Sequence, residues 1–90
     1  MPVEWDPRKA AANLAKHGLR FADGIVVLSD PLAVTVEDLG AQEEDRFVTI
    51  GMDGQGRILV VTYTWRVDAA RLITARRATR RERKQYEGDA

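Results

Sequence analysis

Ninety residues, 44% of them hydrophobic and 31% charged, with a formal net charge of zero, provide for one ordinary core and exclude disordered and fibrous classes. The longest apolar runs are only four residues, Ile25 to Leu28 and Ile58 to Val61, against the roughly 20 of a membrane span, and the acidic opening Val3-Glu4-Trp5-Asp6 is no signal peptide. The lack of cysteine removes disulfides, thiolate metal sites and a thiol nucleophile, which suits a cytoplasmic single domain over residues 1–90.

Val3-Glu4-Trp5 alternates and reads as a short edge strand or a lead-in. Asp6-Pro7 opens a helix on two counts: Asp is a favoured N-cap, and Pro at the first helical position forfeits no hydrogen bond. That helix runs from Pro7 to His17 and stops at Gly18, with Ala11, Leu14, Ala15 and Gly18 sharing one face. Residues 21–29 admit two readings. Ile25-Val26-Val27-Leu28 is a strand by propensity, while Phe21, Ile25 and Leu28 also keep helical spacing. Asp30-Pro31 ends the element. Leu32 to Val36 alternates as a strand, and Asp38 to Asp45 is an acidic loop. Arg46 to Met52 is a strand, Asp53-Gly54-Gln55-Gly56 a hairpin turn, and Arg57 to Trp65 a strand with a continuous apolar middle. After a turn near Asp68, Arg71 to Arg76 makes another strand. Thr79-Arg80-Arg81-Glu82 fits a capping box and starts a final helix. Helices followed by an antiparallel meander make the fold class α+β.

The zero net charge hides a division. Residues 1–21 carry +2, residues 22–56 carry −7 with Arg46 their lone base, and residues 57–87 carry +6. Eleven of the 14 basic residues are Arg, whose planar fork pairs two-pronged with phosphate. Such asymmetry points to an anionic partner, or to a dipolar surface whose ends pair internally. The capping box places Arg80 and Arg81 in the first turn of the last helix, where the macrodipole is already positive and cations are disfavoured. A phosphate there would turn that penalty into binding, and Arg76 and Arg77 can point at the same place. The alternative is a solvated basic helix end.

Individual candidates each have a plainer reading beside the sharper one. Glu82 serves the capping box, or acts as a general base held ionised by neighbouring cations. Tyr86, one turn on, packs or donates to a phosphate. His17, the only histidine, compensates a helix C-terminus, or moves a proton in phosphodiester cleavage. Arg66 follows Trp65 at an accessible strand end, and Lys9 and Arg83 add to the cations available to an anionic partner. Trp5 and Trp65 stack on bases or fill core and rim. One His and no Cys leave no zinc constellation, the glycines open no helix as a phosphate loop would, and residues 37–45 lack calcium-loop spacing. No metal or cofactor is expected.

Trp5-Asp6-Pro7-Arg8-Lys9, Asn13-Leu14-Ala15-Lys16-His17-Gly18 and Phe21 resemble the opening of the BrnT toxins of type II toxin–antitoxin pairs. Asp30-Pro31-Leu32, Arg46-Phe47-Val48-Thr49-Ile50-Gly51, Val61-Thr62-Tyr63-Thr64 and Ile73 to Arg83 continue the resemblance in the same order, over about residues 4–87. It implies a RelE-like fold, a helix over residues 21–29, and an endoribonuclease that inhibits translation. It further implies a BrnA-type antitoxin that carries the operator-DNA contacts, and complexes built on toxin and antitoxin dimers. The family's functional positions fall on Arg66, Arg77, Arg80 and Arg81. Some relatives carry an acidic residue at the position of Arg77, so a proton acceptor here would have to be Glu82 or His17. The first expectation is thus a metal-independent RNA-cleaving toxin; the second is a non-catalytic nucleic-acid-binding module using the same arginines, and the third a protein whose basic end docks an acidic partner.

Overall fold

The computed structural model describes residues 2–38 and 45–88. In chain order the elements are β1 (Val3–Glu4), α1 (Pro7–His17), α2 (Phe21–Leu28), β2 (Val34–Glu37), β3 (Arg46–Met52), β4 (Ile58–Arg66), β5 (Ala69–Arg77) and α3 (Arg80–Glu87). The strands form one sheet in the order β1-β5-β4-β3-β2. The four-strand meander is antiparallel, as the turn signals require. β1 joins β5 in parallel and makes the sheet mixed, because the chain crosses over through both helices before the meander begins.

Local chemistry sets the first helix. Asp6 accepts from the Arg8 N–H at 2.8 Å, Pro7 occupies the first position, and Gly18 closes the helix at φ 70°. The face of α1 that meets the sheet is not the one carrying Ala11, Leu14 and Ala15; Leu14 is 48% exposed. Asn13 turns inward instead, 5% exposed. Its Nδ2 donates to the Leu19 and Ala75 carbonyls (3.0 and 2.8 Å), and its Oδ1 accepts from the Ala75 N–H (3.0 Å). β1 ends opposite Arg71, so at Ala75 the edge of β5 away from β4 has no strand partner. The carboxamide takes the place of the missing peptide and pins α1 to the sheet edge.

Residues 21–28 resolve as helix α2. Phe21, Gly24 and Val27 recur at intervals of three and are buried, which a strand over the same run would not allow. Gly24 permits the approach to β4: a Cβ there would stand 3.3 Å from Val61 Cγ2. Burial against the sheet thus overrides the strand propensity of Ile25-Val26-Val27. Asp30 then caps a turn over Pro31-Leu32, accepting from the Leu32 N–H at 2.9 Å, and this turn delays β2 to Val34.

The sheet has two unlike faces. On one, Leu59, Val61, Tyr63, Leu72, Ala70 and Ala75 pack with Leu19, Phe21 and Val27 beneath α1 and α2. On the other, Ile50, Ile58 and Val60 lie under Ala78 and Tyr86, so α3 covers only the end nearest the β3–β4 hairpin. That hairpin is fixed by Asp53, whose Oδ1 accepts from the Gln55 and Arg57 N–H groups and whose Oδ2 accepts from Arg57 Nε at 2.7 Å. Burial opposes ionisation of Asp53, yet the hydrogen bonds from Arg57 hold its carboxyl below the usual range. Thr62 pairs with Thr74 and Tyr63 with Leu72, leaving Ile73 as a bulge in β5. Most of the acidic loop expected over 38–45 lies outside the described residues. Among the described residues no helix is long and apolar enough to cross a membrane.

Candidate nucleic-acid interface

α3 begins as expected, with a full capping box. Thr79 Oγ1 accepts from the Glu82 N–H at 3.2 Å, and Glu82 Oε1 accepts from the Thr79 N–H at 2.8 Å. Glu82 also receives both Arg76 terminal nitrogens, at 2.7 and 2.8 Å. This two-pronged pair, working against burial and aided by Thr79, holds the Glu82 carboxyl at about 2 against its ordinary 4.5. A carboxylate held so firmly ionised has little proton affinity for base catalysis. Toward the other end of the helix, Tyr86 donates to Asp30 Oδ2 at 2.6 Å while the same oxygen accepts from the Met52 N–H at 2.9 Å. The Tyr86 hydrogen bond and that of Met52 lower the Asp30 pKa, and the Asp30 carboxylate raises that of Tyr86. Tyr86 therefore anchors α3 to the sheet.

With Glu82 and Tyr86 facing the sheet, helical geometry sends Arg80, Arg83 and Lys84 to one side of α3 and Arg81 with Gln85 to the other. The first side faces the hairpin: Arg77, Ala78 and Arg83 line a depression there with Gly56, Arg57 and Ile58, and Arg80, Arg83 and Lys84 line the next. The second side faces the uncovered part of the sheet. Arg80 and Arg81 thus flank the helix start rather than sharing a side.

The register separates Arg66 from Arg77. Arg77 stands opposite Leu59 and Arg66 opposite Ala69, which puts them seven residues apart along β4, about 23 Å at strand rise, and on opposite faces. Arg66 instead belongs to the uncovered face, where successive rungs read Val36-Val48-Thr62-Thr74 and Arg46-Thr64-Arg71-Glu4. Neither Arg46 nor Arg71 is a site candidate from sequence. For the first, the available signal is a lone base at the end of an acidic stretch; the bulge conceals the second, because strict alternation would put Arg71 on the helix-covered face. His17 lies at the far edge of β5, where it lines a groove of about 230 Å³ with Lys9, Lys16, Asn13 and Thr74. Among the described residues no group of three His, Asp or Glu side chains converges as a metal site.

The model of a family described as the ribonuclease toxin BrnT of type II toxin–antitoxin systems matches residues 5–82. The crystal structure of the Brucella abortus ribonuclease toxin BrnT superposes with a TM-score of 0.67 at 31% identity, over 89% of this chain and 99% of that one. No curated protein sequence matches the chain.

Proposed function

The chain belongs to the BrnT family of ribonuclease toxins of type II toxin–antitoxin systems, and we propose that it cleaves RNA without a metal, by attack of a 2′-hydroxyl on the adjoining phosphodiester. The observation that carries this reading is the start of α3, where Arg80 and Arg81 flank a helix N-terminus between two basic surfaces. Arg81 and Arg80 hold the scissile phosphate, and their charge stabilises the negative charge that builds on it in the transition state. Arg77 and Arg83 on the hairpin side, and Arg66 on the open sheet, hold the backbone on either side. Between the two candidate proton carriers, the hydrogen bonding favours His17. Glu82 is occupied by Arg76 and Thr79, whereas His17 borders Thr74, two residues and about 7 Å along β5 from Arg76.

A type II toxin works with a protein antitoxin. The partner proposed here is BrnA-type, supplies the operator-DNA contacts, and holds a toxin dimer in a cytoplasmic complex that suppresses inhibition of translation. The test is incubation of the purified chain, freed of antitoxin, with labelled RNA in EDTA, beside Arg81→Ala and His17→Ala. Fragments ending in 2′,3′-cyclic phosphate from the native chain, and cleavage reduced by orders of magnitude in both variants with affinity changed far less in His17→Ala, support the reading. RNA that binds but stays intact, even with translating ribosomes, leaves a non-catalytic binding module.

A further inference from the structure

Thr64 stands mid-sheet with Arg46 beside it on β3 and Arg71 beside it on β5. Arg66, two residues along β4, projects from the same face. The two flanking arginines are two strand spacings apart, about 10 Å at the Cα atoms, and the Arg46–Arg66 diagonal is about 7–8 Å. Three arginines thus flank Thr64 on one sheet face.

We infer that Arg46, Arg66 and Arg71, centred on Thr64, form a phosphate site for an RNA backbone on the uncovered sheet face, beyond the arginines of α3. The inference rests on the ribonuclease reading and extends its binding track. Three observations carry it. First, the charges are loosely held: the buried Nε of Arg46 has no hydrogen-bond partner among the described residues, and the ion pair of Arg71 with Glu4 is long, 3.8 Å, and lies at the exposed edge. Arg46 and Arg71 each stand diagonal to Arg66 on the adjacent strand β4, and like charges at that spacing repel, so an arrangement made for stability alone would not gather them. Second, the bulge at Ile73 is what turns Arg71 to this face; without it Arg71 would alternate onto the face under α1 and α2. Third, the surroundings suit a phosphate chain more than a protein. Thr62, Thr64 and Thr74 supply hydroxyls, and Val36 at the margin is the exposed large apolar side chain of these rungs, whereas a protein interface is built on an apolar centre.

The experiment is anisotropy of a fluorescent, uncleavable 2′-O-methyl RNA oligonucleotide titrated with the native chain, Arg46→Gln, Arg71→Gln and Thr64→Val across a salt series. Arg20→Gln is the control, since that exposed side chain lies on α2's side of the molecule. Arg46→Gln and Arg71→Gln are expected to weaken binding roughly tenfold each, with the salt slope falling by about 0.7 for each phosphate no longer neutralised. Arg46→Lys is expected to restore most of the slope, which a folding defect would not allow, and Arg20→Gln to change neither quantity. Sheet-face variants that behave like Arg20→Gln while Arg81→Gln loses affinity overturn this site and leave the nuclease reading standing. A native chain with no RNA affinity overturns both, and sheet-face variants that no longer bind a purified antitoxin but keep RNA assign the patch to a protein interface instead.

Discussion

Replacing Asn13 by Ala removes a carboxamide that serves three buried backbone groups, the N–H and C=O of Ala75 and the C=O of Leu19. Each such group left without a partner costs about 1–3 kcal/mol, less where water enters. Ala75 is fully buried and Leu19 nearly so, yet the β5 edge is close to solvent, so about 1 kcal/mol per group is the appropriate figure. The sum is about 3 kcal/mol, a large share of the roughly 5–13 kcal/mol expected for a chain of this size. At about 4–8 °C per kcal/mol, the melting temperature should fall by about 12–24 °C. Thermal unfolding by circular dichroism measures the total, and hydrogen exchange locates it: the Ala75 amide should lose protection in the variant before β4 does. Asn13→Asp should be at least as damaging, because a carboxylate would face two carbonyls without a donor. A fall of less than about 4 °C in Asn13→Ala would refute the view that this side chain stands in for a strand.

Acid should loosen α3 first. The folded Glu82 carboxyl lies at about 2, below its unfolded value, so its contribution is complete above about pH 4.5 and fades as pH falls toward 2. Screening at the 38%-exposed Arg76 reduces this to about 1–2 kcal/mol; Glu82→Gln should flatten the stability–pH curve in that range, and an unchanged curve would show that the pair contributes nothing. Val67 is a β-branched residue at φ 56° in the β4–β5 turn, fully exposed, so Val67→Asn should raise stability by about 1 kcal/mol, and a lower denaturation midpoint would contradict the assigned strain. Gly51→Ala would bring a Cβ to 3.0 Å from Val27 Cγ1 and 3.2 Å from the Val27 carbonyl oxygen, so it should cost about 1–3 kcal/mol by forcing α2 outward; equal urea midpoints for variant and native chain would show that the helix yields freely.

Much of this molecule is written in local sequence. Asp6-Pro7 and Gly18 bound α1, Asp53 to Gly56 close the hairpin, and Thr79 with Glu82 starts α3, because caps and turns are contacts among residues close in the chain. The clustering of arginine toward the carboxyl end is legible for the same reason: it is a matter of composition. Residues 21–28 stand between helix and strand until the sheet beneath them exists to bury Phe21, Gly24 and Val27 together. Asn13 reads as an ordinary helix-face residue, since the unpaired peptide it satisfies lies 62 positions away.

Which arginines act together is the part that only the tertiary structure decides. Sequence proximity groups Arg76, Arg77, Arg80 and Arg81, but α3 folds back over one sheet face and splits them: Arg76 binds Glu82, Arg77 turns toward the hairpin, and Arg80 and Arg81 diverge by about 100° around the helix start. Conversely Arg46 and Arg71, 25 residues apart in the chain, meet across Thr64 because β4 lies between their strands and one extra residue at Ile73 reverses the alternation of β5. The chain's own chemistry sets where each element starts and stops. Strand order and bulge parity set which face each charge reaches, and those are settled by pairing between distant segments that no local pattern encodes.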